Sequence, residues 1–149
     1  MTPARLQANG GREDTRRGWL LLVLSMSGKG GLSPLQLQRS LFLVAQEREE
    51  QVGAGFYEFE EGNGSAPTSP TLYEDIDALG AAAHVEKEWR PDLSASMFRL
   101  SDTGWAWSED LRRKVRKDAL SGLEDAVAWV KEQSYLELMH KTSTIRVIG

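Results

Sequence analysis

A chain of 149 residues, 40% hydrophobic and 27% charged, has the length and composition of one soluble domain with a core of its own. The absence of cysteine excludes disulfides and thiolate-based metal or redox sites, and fits a cytoplasmic location. A net charge of −4 counts against indiscriminate binding to nucleic acid.

In chain order, residues 1–13 are rich in glycine, arginine and polar groups and read as a flexible segment. Asp14 is the expected cap of a helix over 15–27, whose apolar run 19–24 has too little polar contrast to lie at a surface. Arg16 and Arg17 before that run superficially resemble a twin-arginine signal. The run is far too short to span a bilayer, and no small-residue cleavage site follows, so no membrane association is expected. "GKGG" (28–31) ends the helix.

Ser33-Pro34-Leu35-Gln36 combines a capping serine, a proline at the first helical position and a glutamine that completes a capping box. The helix it starts is expected to run to residue 50, with Leu37, Leu41, Val44 and Ala45 inward. "FYEFE" (56–60) alternates and is aromatic, which predicts a short strand; "EGNGSAPTSP" is a loop. Ser69-Pro70 begins a third helix, with Leu72, Ile76 and Leu79 on one face. "VEKEWR" and "SMFRL", joined by "PDLSA", predict a β-hairpin. Ser101 or Asp102 caps a helix expected to reach residue 117. Gly122 marks a break, and Leu123, Ala126, Val127 and Val130 define a further amphipathic helix. "SYLELMH" is a last short helix before a tail over 141–149. The fold class this order predicts is α+β, mostly α: a winged helix-turn-helix over 14–101 with a small antiparallel β-hairpin wing, and a C-terminal helical extension over 102–140.

Four stretches, taken in order, resemble one family. "GLSPLQLQRSLFLVAQE" is similar to the second helix of small bacterial winged-helix proteins of the YwgA-like and phage-associated antitoxin (Panacea) type. "FYEFEEGNGSAPTSPTLYEDIDAL" resembles their strand, loop and following helix. "FRLSDTG" resembles the segment that closes the wing in many winged-helix regulators, and "AWVKEQSYLELM" resembles two helices near their end. The resemblance covers about residues 15–140. It departs at the family's Tyr-Gly-Pro turn, which is here Gly64-Ser65-Ala66-Pro67. It implies a non-catalytic protein, since relatives with assigned roles are antitoxins, adaptors or transcription regulators.

No catalytic constellation stands out. "SGKGG" lacks the spacing and the strand-to-helix context of a phosphate-binding loop. His84, Glu86 and Glu88 share a strand face, but a solvated face explains them better than a cation site, because the only other histidine is His140. A serine nucleophile with a histidine base is equally unsupported. No enzyme activity, metal or cofactor is expected.

Charge distribution separates two non-catalytic readings. Of 18 bases and 22 acids, nine acids and one base fall within residues 47–77, leaving 17 bases and 13 acids elsewhere. The first reading is a DNA-binding transcription regulator. It would use Arg112, Arg113, Arg116 and Lys117, the wing residues Lys87, Arg90 and Arg99, and Arg16 and Arg17 as phosphate contacts. The second is a protein-interaction module, an antitoxin or adaptor. It would hold a basic partner through Tyr57, Glu58, Tyr73, Glu74, Asp75 and Asp77. The third helix carries three carboxylates and no base, so as a base-reading helix it would repel the phosphates around it. A homodimer is compatible with either reading.

Overall fold

The computed structural model describes residues 12–52, 56–60, 68–134 and 137–138. The flexible segment expected at the N-terminus, most of the loop after residue 60, most of the expected last short helix and the tail lie outside the described residues. The fold is α+β and mostly helical. Among the described residues, five helices of eleven residues or more surround one two-stranded antiparallel hairpin.

Helix α1 spans Arg12–Met26 and starts earlier than expected. Asp14 therefore lies inside it and is not its N-cap residue. Residues 19–24 are all 0% exposed, so α1 is sheathed on every side. Helix α2, Pro34–Glu47, has the predicted capping box: Ser33 Oγ accepts from the Gln36 amide, and Gln36 Oε1 accepts from the Ser33 amide. It stops at Arg48 and resumes as a single turn, α3, Glu49–Val52. Arg48 reaches across to Asp125 at 3.7 Å, and its side chain lies over Gly122. The helix thus breaks at Arg48, where a continuous helix to residue 50 was expected.

The segment 56–60 is not a strand. Among the described residues it forms one isolated bridge, Glu60 to Thr68, and pairs with no strand. Its aromatics serve packing instead. Phe56 meets Trp19 edge-on at 5.9 Å between ring centroids, and Phe59 meets Phe42 at 5.3 Å.

Helix α4, Pro70–Ala81, buries Leu72, Ile76 and Leu79 as its periodicity predicts. Strands β1, Val85–Arg90, and β2, Ala95–Leu100, pair in register from Val85–Leu100 to Arg90–Ala95. The loop between α1 and α2 contributes a third, single-residue edge. Leu32 exchanges both backbone hydrogen bonds with Phe98, at 2.9 and 2.8 Å. Gly31 makes this approach possible: its φ is +76°, and a Cβ there would run into the Phe98 carbonyl.

Helix α5, Asp102–Arg112, is capped by Ser101 and ends before the basic run does. After a turn that buries Val115, Arg116 is the N-cap of α6, Lys117–Lys131. Residues 112–117 are thus a helix end and a corner, where one continuous basic helix was expected. Gly122 is inside α6 and breaks nothing. It is small because Arg48 lies against it, 3.0 Å from where a Cβ would be. One hydrophobic cluster runs through the whole arrangement: Trp19, Leu41, Leu72 and Phe98 belong to it together with Leu111, Leu123, Val127 and Val130, and Trp105 packs against it.

Candidate interaction surface

The acidic helix α4 divides its carboxylates between two roles. Glu74 and Asp77, three residues apart, are exposed on one side, beside Tyr73, which is 40% exposed. Asp75 points the other way and is 1% exposed. Arg16 donates from Nε at 3.2 Å and from Nη2 at 3.4 Å, Arg17 donates from Nε at 3.1 Å, and the Tyr57 hydroxyl donates at 2.7 Å, all to this one carboxylate. A buried carboxylate requires such company, since an unpaired charge is costly to remove from water. The cluster ties α1, the segment 56–60 and α4 together.

This corrects two assignments. Asp75 and Tyr57, expected on an outward partner face, are interior; Tyr57 is 2% exposed. Burial first, and the charge of Asp75 second, push the Tyr57 phenol well above its ordinary range, so it stays a donor. Arg16 and Arg17, expected to meet phosphates, are turned onto Asp75. The spacing of Asp75 offered a signal: it stands three residues after Leu72 and four before Leu79, on the buried stripe.

The remaining bases of the expected DNA-binding set are mostly matched within the chain. Arg90 pairs with Asp92, Arg99 with Glu86 and Glu88, Arg113 with Asp110 and Arg116 with Asp118, at 2.7–3.2 Å. Arg112 donates to Ser25 Oγ at 3.0 Å and locks the end of α5 to the end of α1. Lys87 and Lys117 are exposed and ion-pair with no described residue. These surface pairs are individually weak, about 0–1 kcal/mol each, so they cancel local charge more than they hold the fold.

On the outward acidic face, Glu74, Asp77 and Glu58 are exposed. Glu58 directly follows Tyr57, whose hydroxyl bond holds that segment to α4. Tyr73 is half committed, because its hydroxyl donates to Gln38 Oε1 at 2.8 Å, which fixes its ring at the edge of this face. At the hairpin tip two large apolar side chains stand out that the sequence reading passed over, Trp89 at 60% and Leu93 at 54% exposed. Strand alternation carries Trp89 on the same face as buried Val85, but beyond the reach of the core.

His84 does not join Glu86 and Glu88 in a cation site. Its Nδ1 is 3.1 Å from Thr103 Oγ1 and its ring packs on Trp107, while both glutamates hold Arg99. Among the described residues no group of three or more candidate ligands could hold a metal ion, and no helix is long and apolar enough to cross a membrane. No protein-family model, curated protein or solved structure matches the chain.

Proposed function

We propose that this protein is a non-catalytic winged-helix module that holds a basic segment of a partner protein against the exposed acidic side of α4. The winged-helix reading is supported by element order and by the Leu32 bridge. Helix, single-residue edge, helix, helix and hairpin follow one another, and the edge pairs with the second hairpin strand. The connection between α2 and α4 runs from Arg48 to Ser69. It replaces the short turn of a DNA-reading helix-turn-helix, which weakens the case for insertion of α4 into a groove.

The observation that carries the proposal is the fate of the charges. The arginines of the expected DNA-binding set are spent on the chain's own carboxylates or hydroxyls, whereas the exposed side of α4 offers Glu74 and Asp77 with no base on the helix. Such a surface attracts a cationic partner and repels phosphate. Tyr73 supplies the aromatic contact that interface centres favour.

The test compares two labelled probes, an arginine-rich peptide and a DNA duplex, titrated against the parent and against the double variant Glu74→Lys/Asp77→Lys. The parent should bind the peptide in a salt-sensitive way and leave the duplex unbound. The double variant should lose most peptide affinity. The reading fails if the parent binds the duplex and reversal of Arg112 and Arg116 to glutamate abolishes that binding. A DNA-binding regulator that grips phosphates from the α5–α6 corner would then take its place.

A further inference from the structure

Every arginine whose side chain is described meets an acceptor except the most buried one. Arg39, on α2, is 0% exposed, and among the described residues none of its three guanidinium nitrogens has a hydrogen-bond partner. Arg16, Arg17, Arg48, Arg90, Arg99, Arg113 and Arg116 all face carboxylates, and Arg112 faces a hydroxyl. A guanidinium is effectively always charged and presents five donors in a planar fork. Burying it without an acceptor is among the least favourable placements a side chain can have. The neighbouring Phe42 ring, 5.9 Å from the guanidinium carbon, offers a face but no acceptor.

Arg39 is fully buried, yet it lies beside partly exposed apolar side chains. On α2 it shares a stripe with Leu35 and Phe42, both half-buried, and with Gln46, which is exposed. Loss of water lowers its pKa to about 10, which leaves it cationic at neutral pH. A buried cationic fork without an acceptor, beside an aromatic pair, Phe42 with Phe59, has the attributes of an anion-anchoring group.

We propose that Arg39 anchors an anionic small molecule of one chemical class, a monocarboxylate with an apolar or aromatic body. The carboxylate matches the fork with two parallel hydrogen bonds, and the body lies against Phe42 and Leu35. One negative charge balances the one buried positive charge. A dianionic phosphate would replace an unpaired cation with an unpaired anion, and Arg39 is the only arginine among the buried polar side chains of the described residues. The site is independent of the acidic side of α4 and of any partner held there.

The probes are benzoate, its neutral isostere benzamide and inorganic phosphate, each titrated into the parent and into Arg39→Met while thermal unfolding and binding heat are followed. Methionine keeps an unbranched apolar stem, shorter than that of arginine, and removes the unpaired charge, so the variant should fold at least as well as the parent. Benzoate should raise the parent Tm saturably, and benzamide and phosphate should not. Arg39→Met should weaken benzoate binding about tenfold or more, as loss of a charge-assisted hydrogen-bonded pair does. The proposal is overturned if benzoate leaves the parent unchanged, if benzamide acts as well as benzoate, if phosphate binds as tightly as benzoate, or if Arg39→Met binds benzoate like the parent. The parent alone decides the first three outcomes.

Discussion

Asp75 shows how one side chain can hold three segments. Its two oxygens accept from Arg16, Arg17 and Tyr57, and nothing adjacent in sequence could replace those contacts. Asp75→Asn keeps the shape but removes the charge that both arginines answer. The cost should be about 3 kcal/mol, the low end for a broken buried ion pair, since Arg16 and Arg17 are 20% and 23% exposed and can turn toward water. Urea unfolding reads this directly, and a change below about 0.5 kcal/mol would mean that the carboxylate is not stabilising α4. Tyr57 gives the cluster a pH dependence of known sign. Its folded-state pKa is raised by burial and by Asp75, above an unfolded value of about 10. The stabilisation is therefore complete below about pH 10 and declines as pH rises past it, because the unfolded chain releases the phenolic proton first. Tyr57→Phe should cost about 1.5–3 kcal/mol at neutral pH and flatten the alkaline decline. Unfolding free energies measured from neutral pH upward test both parts, and an unchanged alkaline slope in the variant contradicts the assignment.

At the scale of elements, the helices and the hairpin were legible because each has a local cause: the capping box at Ser33, proline after Ser69, the stripe Leu72–Ile76–Leu79, and alternation through β1 and β2. What could not be read depends on contacts between segments distant in the chain. The alternating aromatics at 56–60 signal burial as well as pairing, and the packing of Phe56 on Trp19 and of Phe59 on Phe42 is what the described residues show. Arg48 stands at the end of α2 and contacts Asp125, and the glycine at 122 lies under that same arginine. The candidate site was legible in the outward Glu74 and Asp77. It was misread at Asp75 and Tyr57: the spacing of Asp75 placed it on the buried stripe, but nothing near it in sequence points to the two arginines that arrive from α1. The Leu32 edge was missed because a single bridging residue has no periodicity. Its importance is testable at Gly31. Gly31→Ala forces a positive-φ position to carry a Cβ against the Phe98 carbonyl and should cost about 1–3 kcal/mol, whereas Gly30→Ala, with nothing within 4 Å, should be near neutral. Equal effects at the two positions, measured by chemical unfolding, would remove the Leu32–Phe98 bridge from the account of the hairpin. Leu41 and Leu72, both 0% exposed, should each cost about 2–5 kcal/mol when cut to alanine. A nearly neutral result at either, by the same measurement, would place that helix face wrongly.

At the scale of the whole molecule, the C-terminal helices complete the core. Over residues 19–24 helix α1 is apolar on every side, a pattern that a helix can sustain only when neighbours cover its full circumference. Helices α2 and α4 and the hairpin cover part of it; α5 and α6 contribute Leu111, Val115, Ala119, Leu123, Ala126, Val127 and Val130 to the same cluster. Polar locks accompany that packing: Arg112 donates to Ser25, and the Lys131 ammonium donates to the Ser27 carbonyl at 2.9 Å, so both later helices grip the exit of α1. A chain ended after Ser101 would keep α1 to α4 and the hairpin yet bare one side of residues 19–24. Apolar burial contributes about 25 cal/mol per Å², and a domain's net stability is only about 5–15 kcal/mol, so exposing a helix flank of this size exceeds the margin. The expected outcome is that residues 1–101 show no cooperative thermal or urea transition and bind a hydrophobic dye, while the full chain unfolds in a single step. Supplying residues 102–149 in trans should restore part of the transition. A cooperative unfolding transition in the shortened chain by itself would show that the first four helices and the hairpin form a self-sufficient core, with α5 and α6 an appendage.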